Sequence, residues 1–93
     1  MIVRYARRAE RDLAFILSYL AARSPAGARQ VAAHLQASIE FIAENPGGGM
    51  ATRNPRLFVK VVPKYPYKIF YRLHEQVVEI VHIRHSSRRP WLK

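Results

Sequence analysis

Tyr67-Lys68-Ile69-Phe70-Tyr71-Arg72-Leu73-His74 alternates without a break. Tyr67, Ile69, Tyr71 and Leu73 fall on one side of an extended chain, and Lys68, Phe70, Arg72 and His74 on the other. A period of two marks a strand with one covered and one open face. His74-Glu75-Gln76 then makes a short polar connection, and Val77 to Arg84 is apolar on both faces, as an interior strand is. Two such runs with a tight connection predict a hairpin. Just upstream, Leu57, Val59 and Val61 alternate with Phe58, Lys60 and Val62, adding a third run. Three sequential runs predict an antiparallel meander.

Toward the N-terminus the period becomes helical. Ala9, Leu13, Ile16, Leu17 and Leu20 recur at three and four residues. Glu10 and Asp12 suit the positive end of the helix dipole, whereas Arg7, Arg8 and Arg11 oppose it. Arg8 and Asp12 are spaced to pair along the helix. No good capping residue precedes this helix, but Ser24-Pro25 opens the next one. Serine can cap, and proline at the first helical position has no N–H to waste. Ala28, Val31, Leu35, Ile39 and Ile42 form its apolar stripe, and Asn45-Pro46 stops it. So short a connection predicts an antiparallel helix hairpin. Before both helices, Met1–Tyr5 has the composition of a short strand. Pro46-Gly47-Gly48-Gly49 through Pro55 reads as a flexible connector, since the lysine and serine of a phosphate-binding loop do not follow the glycines.

The order is strand, two helices, three strands, which is an α+β fold in one domain spanning 1–93. The helix hairpin must bury its apolar face on one side of the sheet. The other side is expected to display Lys60, Lys68, Phe70 and Arg72 together.

Charge narrows the function. The 93 residues include 16 Lys and Arg against six Asp and Glu, a net charge of +10. Residues 56–93 hold nine of the basic and two of the acidic side chains. Such a chain attracts polyanions or acidic protein segments. A chain this short buries only about 60–65% of its unfolded surface, so a partner covering apolar area would matter. With no cysteine there is neither a disulfide framework nor a thiolate zinc site. The N-terminus lacks a signal-peptide core and no apolar run approaches a membrane span, so a cytoplasmic location is expected. No cofactor, metal, membrane partner or small-molecule substrate is expected.

Three segments carry a resemblance. The first is Ala9, Asp12-Leu13 and Ile16, followed by Tyr19, the Ser24-Pro25 break and Ala28. The second is Tyr65-Pro66-Tyr67-Lys68-Ile69-Phe70-Tyr71-Arg72. The third is Val81-His82-Ile83-Arg84-His85-Ser86-Ser87-Arg88-Arg89-Pro90. Together they resemble the ParE/RelE toxin superfamily, the toxin halves of bacterial type II toxin–antitoxin pairs. The resemblance implies a curved sheet with a basic groove and a cognate antitoxin as partner. The +10 charge and the thin core favour an acidic or amphipathic antitoxin segment lying across the helix hairpin and the sheet edge.

Two activities are implied by different branches. RelE-like members cleave mRNA on the ribosome, which needs a base, an acid and cations for the developing phosphorane charge. The residues matching that role are Lys60, Lys68, Arg72, His85 and Arg88. ParE-like members instead inhibit DNA gyrase by binding it. His85-Ser86-Ser87-Arg88 is closer to the ParE version, and no tyrosine follows Arg88; Trp91 stands there instead. The expectation is therefore a toxin that binds its target through Lys68, Arg72, Arg84, Arg88, Arg89 and Trp91. A ribosome-dependent ribonuclease is the alternative, and a basic nucleic-acid-binding module a further one. His82, on an interior strand, is expected to be a satisfied structural histidine, whereas His85 at the strand end stands between the two roles. His34 alone makes no metal site.

Overall fold

The computed structural model describes residues 1–86. Strand β1 (Ile2–Tyr5) leads into helix α1 (Arg7–Arg23) and helix α2 (Pro25–Glu44). A single 3-10 turn (Pro46–Gly48) and a two-residue strand β2 (Met50–Ala51) follow. Strands β3 (Phe58–Val61), β4 (Tyr67–His74) and β5 (Val77–His85) complete one five-stranded sheet in the order β1-β5-β4-β3-β2. The meander is antiparallel, and β1 runs parallel to β5 along its far side.

Ser24 serves both helices. Its N–H donates to the Leu20 carbonyl at the end of α1, and its Oγ accepts from the Gly27 N–H at 3.0 Å at the start of α2. Ser24→Ala is expected to cost about 1 kcal/mol, read as a lower urea midpoint at unchanged slope. The α2 stripe is buried as its spacing demands: Val31, Leu35, Ile39 and Ile42 pack on Ile69, Tyr71, Val78, Ile80 and Ile83 of the sheet. From α1, Ala9 is fully buried, while Leu13, Ile16 and Leu20 are half-buried against the same core.

The glycine-rich connector is not a free link. Asn45 N–H closes α2 on the Phe41 carbonyl, and Gly48 N–H turns back to the Asn45 carbonyl. The Tyr71 hydroxyl donates to the Pro46 carbonyl at 3.1 Å, fixing the turn to the middle of the sheet. Gly49 lies against that tyrosine so closely that a β-carbon there would run into the hydroxyl and ring. Beyond it, Met50 and Ala51 pair with Val59 and Phe58. The connector expected to be flexible is therefore anchored at Tyr71 and continues as an edge strand. Gly49→Ala is expected to cost about 1–3 kcal/mol by overpacking, measured as a drop in Tm.

Register corrects one expected face. Directly opposed residues share a face of an antiparallel pair. Lys60 opposes Ile69, and Val61 opposes Lys68. Lys60 thus lies on the helix side of the sheet with fully buried Ile69, and its Nζ sits 4.5 Å from the centre of the Phe41 ring on α2. The run Leu57–Val62 is apolar in both phases, so alternation alone could not say which phase faces the helices.

A bulge resets the phase of β5. Phe70 opposes His82 and Tyr71 opposes Ile80, which leaves Val81 as the extra residue. Val78, Ile80 and Ile83 can all then reach the core, and His82 moves to the open face.

A cationic sheet face and an apolar groove

The open face is best read as rows running across the strands. Val61, Lys68 and Arg84 form one row. Met50, Val59, Phe70 and His82 form the next, and Arg72, Glu79 and Arg4 the one after. An apolar and aromatic row is thus bordered on both sides by cations. The Arg84 guanidinium lies 5.4 Å from the Phe70 ring centre, and the His82 ring stacks on the same Phe70 ring at 5.7 Å. Lys68 and Arg84 are direct cross-strand partners. Two like charges placed directly opposite each other repel. Arg72 is different, because its Nε lies 3.1 Å from Glu79 Oε1.

The residues matched to the ribonuclease role do not share this face. Lys68 and Arg72 stand on it, whereas Lys60 is on the helix side. His85 opposes buried Tyr67, packs edge-on to that ring at 5.3 Å, and lines a small hollow with Phe15, Ile16 and Tyr19 of α1. It too faces the helices. Arg88, Arg89 and Trp91 lie outside the described residues. Of the expected target-binding set, the described residues Lys68, Arg72 and Arg84 do come together on one surface.

His82 is held as a structural group, but by a partner no spacing rule announces. Strand β1 pairs with β5 only as far as Tyr5 and Ile80, so the outer edge of β5 continues without a strand beside it. Asp12 of α1 fills that gap. Its Oδ2 accepts the Ile83 N–H at 3.0 Å and the His82 Nδ1–H at 2.6 Å. With the ring proton on Nδ1, Nε2 accepts from Arg8 Nη2 at 3.4 Å. Arg8 and Asp12, expected to pair with each other along α1, instead meet on the two nitrogens of His82.

On the helix side a groove of about 380 Å3 opens between β1 and the hairpin. Val3, Tyr5, Leu13, Leu17, Ile39 and Ala43 form most of its wall. Burial pushes the Tyr5 phenol above its usual pKa of 10.0.

The family model for the ParE toxin of the type II toxin–antitoxin system parDE matches residues 3–90. The chain belongs to the ParE toxin family. It is 40% identical over 82 residues to Toxin RelE2 of Caulobacter vibrioides, covering 87% of this chain and 90% of that one. It is 38% identical over 85 residues to Toxin ParE1 of the same organism, covering 90% and 88%. A solved structure from the chromosomal ParDE toxin–antitoxin system of P. aeruginosa superposes with a TM-score of 0.79 over 91% of this chain and 95% of the other. At 18% identity that likeness speaks to the fold alone, and it agrees with the α+β order described above. The chain is thus a type II toxin–antitoxin toxin of the ParE/RelE kind. Among its described residues no helix is long and apolar enough to cross a membrane.

Proposed function

We propose that this ParE-family toxin arrests growth in the cytoplasm by binding DNA gyrase through its open sheet face, and that a cognate antitoxin neutralises it. The observation that carries the reading is the division of cations. Lys68, Arg72 and Arg84 share one exposed face around Phe70, while Lys60 and His85 point to the helices. A ribonuclease needs its proton carriers and cations around one phosphate. A binding surface needs only complementary charge and an apolar anchor. Arg88, Arg89 and Trp91, which lie outside the described residues, are proposed to contribute to target binding as well.

A supercoiling assay with purified gyrase tests this. Toxin should inhibit supercoiling, and Lys68→Glu with Arg84→Glu should raise the inhibitory concentration at least about tenfold, equivalent to about 1.4 kcal/mol. Cleavage of mRNA in a translating extract, with gyrase untouched, would replace the reading with the ribosomal one.

For the antitoxin, the groove between β1 and the helix hairpin supplies an apolar seat beside a basic body. An amphipathic segment there would cover Tyr5, Leu13 and Leu17 and meet the chain's positive charge with its acidic side. The pair should survive about 1 M salt, where screening acts within about 3 Å, because apolar burial persists when Coulomb attraction does not. Dissociation at that salt would assign the affinity to charge alone.

A further inference from the structure

At the end of β4 remote from the Lys68–Arg84 row, a half-open cleft wraps the end of the sheet beside the connector, with Phe58 and Leu73 from the helix-side phase of their strands and Arg72 and His74 from the open-face phase. It holds about 430 Å3, within the roughly 300–1,000 Å3 of small-molecule sites. Pro55 and Arg56 come from the connector, Phe58 from the start of β3, and Arg72, Leu73 and His74 from the end of β4. One part of the wall is therefore apolar and aromatic, and the other is cationic.

The cations are already arranged. Glu79 opposes Arg72 across the β4–β5 ladder. Its Oε1 lies 3.1 Å from Arg72 Nε, an ion-pair contact without a hydrogen bond at that nitrogen, and is hydrogen-bonded with His74 Nε2 at 3.0 Å. An arginine whose ion-pair contact is made at Nε leaves its two terminal nitrogens for another partner, and that fork matches two oxygens of a phosphate. Among the described residues no hydrogen bond from those nitrogens is seen. Arg56 is fixed at its backbone, whose N–H donates to Asn54 Oδ1 at 2.9 Å. Its guanidinium has no ion-pair partner among the described residues. One carboxylate thus stands against two arginines and a histidine.

We propose that this cavity binds a nucleoside monophosphate, with the phosphate on Arg56 and the terminal nitrogens of Arg72 and the base against Phe58 and Leu73. Inorganic phosphate would use the cations and leave the Phe58 wall wet. A nucleoside would cover the wall and leave the arginines unmatched. Only a ligand with both halves uses both, and every nucleobase offers a flat face for an aromatic side chain. The nucleotide is a ligand here, not a substrate. The site stands on its own geometry and does not depend on which target the toxin blocks. Because Arg72 also belongs to the open face, an occupied cavity would alter that end of the target surface.

Titration of the full chain with AMP, adenosine and inorganic phosphate, followed by amide NMR shifts, tests the assignment. AMP should bind at least tenfold tighter than either fragment, with shifts clustered at residues 55–58 and 72–74. Arg56→Ala, at an exposed position, should weaken AMP about tenfold and leave the unliganded spectrum otherwise intact. Lys64→Ala, in the turn at the other end of β4, should change nothing. Equal affinity for AMP and phosphate would overturn the proposal. So would shifts centred on Lys68 and Arg84, or AMP binding indifferent to Arg56→Ala.

Discussion

Tyr71→Ala is expected to cost about 3–5 kcal/mol, the usual loss for removing a large buried ring. Its ring is fully buried in the middle strand, tilted on Phe58 at 5.8 Å, and its hydroxyl carries the connector through the Pro46 carbonyl. A domain of this size has roughly 5–14 kcal/mol to lose, so the variant should be largely unfolded on modest heating. Tyr71→Phe separates the two contributions. It keeps the ring and deletes one hydrogen bond, for about 1–2 kcal/mol. Urea unfolding followed by far-UV circular dichroism measures both. Equal midpoints for Tyr71→Phe and wild type would show that the connector does not depend on this anchor.

The same residue sets an alkaline limit. Burial pushes the Tyr71 phenol above 10.0, only partly offset by the Gly49 backbone N–H, and burial raises Tyr5 as well. A folded-state pKa above the unfolded one means that the folded chain holds its proton longer. Stability from these groups is complete below about pH 10 and declines as pH climbs through the raised folded values. The fall in Tm above pH 10 should be shallower in Tyr71→Phe and Tyr5→Phe than in wild type.

Asp12→Ala should cost about 2–3 kcal/mol although Asp12 belongs to no core stripe. One carboxylate oxygen satisfies the Ile83 N–H and the His82 ring at once. Its removal strands a backbone donor on the outer edge of β5, beyond the end of β1. Asp12→Asn keeps an acceptor oxygen and loses the charge, so about half the loss is expected. Hydrogen exchange gives the local readout: the Ile83 amide should lose protection in Asp12→Ala ahead of Ile69 and Tyr71. Unchanged protection at Ile83 would assign the contact no structural weight.

These two residues also show what was legible in the sequence. Tyr71 stood on the covered side of a strand because Tyr67–His74 alternates cleanly, and the α2 stripe was equally plain. Ser24-Pro25 and Asn45-Pro46 marked helix ends by local chemistry alone. Lys60 was misplaced because Leu57–Val62 is apolar in both phases, and only pairing with β4 selects one. His85 faces the helices because the bulge at Val81 shifts the phase of β5, and an extra residue leaves no compositional trace there. Asp12 was legible as a helix residue and invisible as the cap of β5, since His82 lies 70 positions further along the chain. Local spacing offers only Arg8, four residues away on the same helix. Strand β2 is two residues long, too short for any period to appear.

The pairing of β1 with β5 has a consequence for biosynthesis. Ile2–Tyr5 leaves the ribosome long before its strand neighbour, Val77–Ile80. The helix hairpin can form early from local contacts, but it has no sheet to cover until β3, β4 and β5 are out. Until β5 emerges, the nascent chain therefore carries an unpaired β1 and an uncovered hydrophobic hairpin. The sheet, and any surface displayed on it, can assemble only once β5 has emerged.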